Sequence, residues 1–193
     1  DTEVFYPGGA MFTKIMDAID HWNQNTLVEL VPAQGSEHHV RFVSKTSGCT
    51  ARYGKISDQE KQTINLSPFC ATGTIIHEIG HTVGFFHEHT RADRDTFVFV
   101  NWANIWLDEQ EKFETHGGLL DGEDIGPYDF DSVMHYRSYS SKFAINDNYP
   151  ILVKAGCSPW AVPLPSSCKI DKQSVLSDWD KRTATEQVVG IPN

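Results

Sequence analysis

The stretch His77-Glu78-Ile79-Gly80-His81-Thr82-Val83-Gly84-Phe85-Phe86-His87-Glu88 decides how this chain is read. On an α-helix, His77 and His81 stand one turn apart and present both imidazoles from the same face. Glu78 is offset beside the first histidine, where it can sit next to a bound ion without ligating it. Gly84 can take the left-handed conformation that ends a helix. The chain would then turn sharply and bring His87 to the same ion from outside the helix. Three neutral nitrogen ligands and a vacant fourth position describe a catalytic zinc, whereas a structural zinc is closed by four protein ligands. The chemistry expected of such a site is hydrolysis, with Glu78 as candidate general base.

Outward from this motif, Ile75, Ile76, Ile79 and Val83 supply the apolar surface of a helix over residues 74–84. Upstream, apolar residues at 11, 12, 15, 16, 19 and 22 form one helical stripe behind Pro7-Gly8-Gly9. Val4-Phe5-Tyr6, residues 27–31, 39–43 and 63–66 read as short strands. Downstream, Trp102, Ile105, Trp106 and Phe113 would line a single helix over residues 101–115. Residues 116–131 are rich in Gly and Asp and read as loop. Residues 156–168 carry Pro159, Pro163 and Pro165, which excludes helix and central strand. A last helix is expected over residues 177–188. No repeat or low-complexity linker interrupts the chain. The expectation is an α+β fold in one domain over residues 1–193, with an N-terminal lobe (1–84) and a more irregular C-terminal lobe (85–193).

The chain has 193 residues and a formal charge of -10, from 16 basic and 26 acidic residues. That balance, with no basic run interleaved with aromatics, excludes a nucleic-acid partner. No apolar run approaches the roughly 18 residues of a membrane span. Cys49, Cys70, Cys157 and Cys168 allow three pairings, and none is spaced as a Cys-x-x-Cys metal or redox pair. Two disulfides and an oxidising compartment are expected. Asp1 opens the chain with neither a charged nor an apolar leader, so a signal peptide or pro-segment is expected to have been removed. Asn65-Leu66-Ser67 is an N-glycosylation sequon of a kind that arises often by chance.

A second motif, Ser132-Val133-Met134-His135-Tyr136, follows the histidines. With the first it gives the chain its resemblance to the metzincin endopeptidases, and within them to the astacin family. Glu88 after the third histidine is the residue astacins carry there. Gly73-Thr74-Ile75-Ile76, residues 87–95 and Pro127-Tyr128-Asp129 are similar to the astacin surroundings, and the similarity runs from about Phe5 to Val188. The resemblance implies the metzincin zinc-protease fold, with a twisted mixed sheet and two helices in the first lobe, a terminal helix in the second, and the active-site cleft between them.

It further implies one catalytic Zn2+ held by His77, His81 and His87, with Tyr136 as a fifth ligand at rest. Tyr136 would then move to stabilise the oxyanion, and Met134 would floor the site. Thr63, Ile64, Asn65 and Leu66 would be the edge strand on which an extended substrate lies. By resemblance Cys49 pairs with Cys70, which leaves Cys157 with Cys168. The interlobe disulfide usual in astacins has no cysteines here. Its absence, and the lack of appended modules, point toward a bacterial secreted member. In astacins the glutamate matching Glu88 neighbours the mature N-terminus; here Glu88 is expected either in that place or as a structural carboxylate. Residues 154–172 would shape the pocket for the residue after the scissile bond, with Lys154, Lys169 or Lys172 meeting acidic side chains. His21, His38, His39 and His116 are expected at the surface, and His89 and His135 in supporting or packing places.

The implied protein is a secreted, monomeric endopeptidase acting on protein or peptide substrates, with an inhibitory pro-segment before maturation. The alternatives are a catalytically silent astacin-like binding module and a structural zinc site. The first would be expected to lose Glu78 or a ligand, and the second to gain a firm fourth ligand.

Overall fold

The structure, a computed structural model, describes residue 5 and residues 7–34, 38–56, 61–116 and 123–189. It divides into two compact units, Asp1–Phe85 with Ser174–Asn193, and Phe86–Gln173. Val4 and Tyr6 of the first expected strand lie outside the described residues.

In the first unit, helix α1 (Ala10–Asn25) buries Ile15, Ala18 and Trp22 along one stripe. The Trp22 indole N–H donates to the Ile76 carbonyl at 3.0 Å. Lys14 donates to the Cys70 carbonyl at 3.1 Å. These two bonds fasten α1 to helix α2 (Thr72–Val83) and to the loop before it. Strands β1 (His39–Ser44), β2 (Cys49–Thr50) and β3 (Lys61–Leu66) form a mixed sheet in the order β1-β3-β2. β1 runs parallel to β3 and β2 antiparallel to it. The Cys49–Cys70 disulfide joins β2 to the loop that enters α2.

Leu27–Val31, expected as a strand, is irregular. Asn23 clasps it instead, donating to the Leu30 carbonyl at 3.0 Å and accepting the Leu30 N–H at 2.8 Å. A side chain thus takes the backbone groups that a neighbouring strand would need.

The last helix, α3 (Asp178–Val189), belongs to this first unit and not to the second. Ser177 and Asp180 cap it reciprocally: the Asp180 N–H donates to the Ser177 hydroxyl and the Ser177 N–H to the Asp180 carboxylate, both at 2.9 Å. Two local contacts account for its placement. The Leu176 N–H donates to His21 Nε2 at 3.1 Å. A Cβ at Gly73 would lie 2.6 Å from the Ser174 Cα and 2.7 Å from its carbonyl oxygen. Because the obstruction is largely backbone, Gly73→Ala should destabilise the fold by about 1–3 kcal/mol. Urea unfolding measures this, and a midpoint equal to the parent's would refute the close approach.

In the second unit, β4 (Val98–Val100) and β5 (Leu152–Lys154) pair antiparallel. They lie within a core of Val98, Val100, Ile105, Phe113, Tyr128, Phe143, Ala144, Ile151, Leu152 and Ile170. The single helix expected over 101–115 is replaced by two 3-10 segments, Trp102–Asn104 and Leu107–Phe113. The break has a tertiary cause. Ile105 is extended and bridges Ala144, while the Asn104 side chain donates to the Asn146 and Tyr149 carbonyls. The apolar spacing that mimics a helix therefore faces the core in two short pieces. The Cys157–Cys168 disulfide closes the proline-rich segment, whose regular structure is one 3-10 turn, Ser166–Cys168. Of the expected loop at 116–131, residues 117–122 lie outside the described residues and 123–131 are irregular.

Candidate active site

Helix α2 carries His77 and His81 with ring centroids 4.5 Å apart. It stops at Gly84, whose φ of 119° is left-handed and whose N–H reaches the Gly80 and His81 carbonyls. The Phe85 N–H also returns to the Gly80 carbonyl at 3.0 Å. This closure turns the chain out of the helix at Gly84, three residues before His87, as Gly84 predicts. The ligand nitrogens of His77, His81 and His87 all lie within 4.8 Å of one another.

The donor set fits zinc. The Phe85 carbonyl lies 2.8 Å from His81 Nδ1, and a carbonyl only accepts. Nδ1 therefore carries the proton, and Nε2 keeps the lone pair a metal needs. Burial, with the neighbouring His77, pushes His81 down to about 3, so its ring is neutral near neutral pH. Three imidazoles converging within one small space form a group able to hold a catalytic zinc.

Glu78, on the same helix, is buried, at 5% exposure. The Tyr53 ring meets His81 edge-on at 4.7 Å, and its hydroxyl is pushed above the ordinary tyrosine range by burial and by the charge of Glu78. Sequence reasoning did not single out Tyr53, because nothing in its local pattern reveals a contact made across the unit. The chain that carries it continues from β2, and the Gly54 N–H donates to the His81 carbonyl at 2.8 Å.

This geometry corrects the expected edge strand. β3 is the central strand, and Asn65 and Leu66 pair with β1 on one side and β2 on the other. Among the described residues Asn65 and Leu66 are therefore not a sheet edge, while Thr63 and Ile64 pair with β1 and lie beyond the reach of β2. The edges are β1 and β2, and β2 is the one whose chain goes on to meet His81.

In the second unit, the Glu88 N–H donates to the Met134 carbonyl at 3.2 Å, and its carboxylate accepts the Asp129 N–H at 2.8 Å. Arg91 lies 3.6 Å from the Glu88 carboxylate. It grips Asp93 through two bonds of 2.9 and 3.0 Å and donates to the Ile125 and Gly126 carbonyls. Glu88 and Arg91 thus tie the loop around residue 126 and the methionine turn to the segment that follows His87. Met134 is buried, and its N–H donates to the Ser132 hydroxyl at 3.0 Å, which shapes the turn. The Tyr136 ring centroid lies 4.4 Å from that of His87.

His135 is engaged at both nitrogens: Nδ1 lies 2.7 Å from the Tyr136 carbonyl and Nε2 2.7 Å from the Tyr128 hydroxyl. Since the carbonyl requires a proton on Nδ1, the Tyr128 hydroxyl donates to Nε2. His89 is fully buried, with Nε2 3.2 Å from the Lys112 carbonyl. His21, expected at the surface, is instead partly buried and accepts the Leu176 N–H. A cavity of about 550 Å³ is lined by Arg137, Tyr139, Lys169, Asp171 and Lys172 among others. Lys154 stands elsewhere, over the Phe130 ring at 4.8 Å.

Residues 9–156 match the peptidase family described as Astacin, and the chain belongs to that family. It is similar to high choriolytic enzyme 1 of Oryzias latipes, at 34% identity over 167 residues, covering 81% of this chain and 60% of that protein. It is also similar to zinc metalloproteinase nas-4 of Caenorhabditis elegans, at 35% identity over 128 residues, covering 65% and 40%. The chain thus spans 60% and 40% of the length of these two relatives. The solved structure of high choriolytic enzyme 1, a hatching enzyme zinc-protease from the medaka fish, superposes with a TM-score of 0.79 at 27% identity, over 98% of this chain and 87% of that one. This likeness agrees with the α+β fold described above. Among the described residues no helix is long and apolar enough to cross a membrane.

Proposed function

We propose that residues 1–193 are one catalytic domain of a secreted zinc endopeptidase that hydrolyses internal bonds of extended polypeptides. The observation that carries this reading is the convergence of His77, His81 and His87, with Glu78 on the same helix. His77, His81 and His87 would hold the ion, joined at rest by Tyr136. Zinc bound there supplies Lewis-acid polarisation of the scissile carbonyl and lowers the pKa of water.

Glu78 takes the proton of the attacking water and delivers it to the departing amine nitrogen. Tyr136 moves from its resting place to donate its hydroxyl proton in a hydrogen bond to the carbonyl oxygen as negative charge develops there. Met134 is an apolar floor beneath the histidines, and Glu88 anchors the turn that presents Met134 and Tyr136. Substrate adds as a strand to β2 and its continuation toward Gly54, an edge supported by the sheet order and by the Gly54–His81 bond. Main-chain pairing of that kind suits an extended backbone of varied sequence.

Secretion is supported by the two disulfides, which persist in oxidising compartments. Release from an inhibitory pro-segment and a monomeric state complete the proposal. For the residue after the scissile bond, the cavity lined by Arg137, Lys169 and Lys172 is the proposed pocket. Asp147 and Asp171 also line it and Asp171 pairs with Lys169 at 2.6 Å, so its preference for acidic side chains rests on the excess of basic groups. Lys154 is left out because its ammonium lies over Phe130.

Incubating the protein with unfolded casein and sequencing the products by mass spectrometry tests the whole reading. Internal cleavage is expected, enriched before Asp and Glu, and Lys169→Ala with Lys172→Ala should erase that enrichment. An unchanged profile in the lysine variants would remove the pocket assignment alone. Absence of any cleavage by the zinc-loaded protein would favour the silent binding module.

A further inference from the structure

We propose that His89, Phe143 and Phe113 form an aromatic slot that confines the Tyr136 ring to movement within its own plane. The inference rests on reading Tyr136 as a mobile hydrogen-bond donor. The His89 ring lies nearly parallel to Tyr136, with centroids 4.1 Å apart and 26° between planes. Phe143 is also nearly parallel, at 5.3 Å and 12°. His89 and Phe143 each stack on Tyr136 but make no ring contact with each other, as expected of rings that cover opposite faces of the phenol. Phe113 meets Tyr136 edge-on at 5.6 Å and 76°, and closes one side. On the ligand side the His87 ring lies against Tyr136, with centroids 4.4 Å apart and 58° between planes.

The walls are braced. His89 and Phe113 are fully buried and Phe143 nearly so. His89 is held by its Nε2 bond to Lys112, and Phe143 stands edge-on to Phe113 at 5.5 Å. Among the described residues His89 Nδ1 is the one buried side-chain polar atom without a hydrogen-bond partner. The site therefore uses His89 as a flat ring fixed through a single nitrogen.

The backbone beneath the ring is pinned as well, since the Tyr136 carbonyl accepts from His135, which accepts from Tyr128. With the main chain fixed and both faces stacked, tilting out of plane would separate two ring pairs at once. Sliding in plane keeps both. His89, Phe143 and Phe113 are thus positioning residues that carry the hydroxyl along one path between its two places of work.

The test uses the zinc-loaded protein with 13C-labelled tyrosine, and the Tyr136 signals are assigned by their loss in Tyr136→Phe. The slot predicts slow ring flips, with separate resonances for the two ring edges. Phe143→Leu should merge those resonances and lower kcat roughly 10- to 100-fold with little change in KM. Phe143→Tyr, which keeps a flat wall, should recover most of that loss. In a Tyr136→Phe background, Phe143→Leu should lower kcat no further, because the guided hydroxyl is already gone. Unchanged flip rates in Phe143→Leu, or losses that simply add in the double variant, would overturn the slot. If Phe143→Leu does not fold, His89→Leu against His89→Phe puts the same question from the other face. A Tyr136→Phe variant as active as the parent would instead overturn the reading of Tyr136 itself.

Discussion

Glu78→Gln is expected to keep its zinc and lose peptide hydrolysis. The amide has nearly the shape of the carboxylate, so the helix, the buried place of residue 78 and the three histidines remain. What disappears is the capacity to take a proton from water and pass it to the leaving amine. General acid–base catalysis of this kind contributes about 10²- to 10⁴-fold, so kcat should fall by that factor. Binding of a peptide inhibitor should change little, because the proposed substrate edge and pocket are untouched. The measurement pairs kcat on a quenched peptide with zinc stoichiometry by atomic absorption. A variant with full zinc and full activity would take Glu78 out of the mechanism.

Removing the ion should abolish cleavage and leave the fold sensitive to acid. An ion present at a hundredfold its dissociation constant stabilises the state it binds by about 2.7 kcal/mol. Chelation should therefore lower the melting temperature as well as the rate, and added zinc should restore both. In the metal-free protein the acid response follows from three buried imidazoles. Burial lowers His81 to about 3 and His135 to about 4, and holds His89 well below its ordinary value.

These folded-state values lie below the unfolded value of 6.5. The unfolded chain accordingly takes up protons that the folded chain refuses once the pH drops through 6.5. The folded state has its full stability above that pH and loses it progressively as pH falls toward about 4. Melting temperature followed from pH 7.5 to 4 under chelation checks this. A flat profile would mean that these rings are not held neutral by burial.

Local patterns carried a good part of the structure. Histidines one turn apart, apolar residues on the opposite side of the same helix and a glycine after it are statements about a few neighbouring residues. The structure follows them closely in α2 and at Gly84. The stripe of α1 and the strand β1 were legible for the same reason. The failures share a cause in partners distant in sequence. Residues 27–31 read as a strand, but Asn23 takes both backbone hydrogen-bonding groups of Leu30. Residues 101–115 have helical spacing, but Ile105 answers to Ala144. Residues 63–66 are a strand, but whether a strand is an edge depends on which others lie beside it.

The division for the site runs along the same line. By itself the sequence determined the chemistry available, namely three histidines spaced to converge around a helix end and a carboxylate beside them. It also determined the family, through the methionine turn and the residue after His87. Only the tertiary structure decided that β3 lies between β1 and β2, and that the chain beyond β2 meets His81. Only there does Tyr128 reach His135, and only there do His89 and Phe143 close over Tyr136. Spacing along one helix or strand is set by backbone geometry that any short segment carries. Stacking, edge position and burial exist only once segments far apart in the chain have packed together.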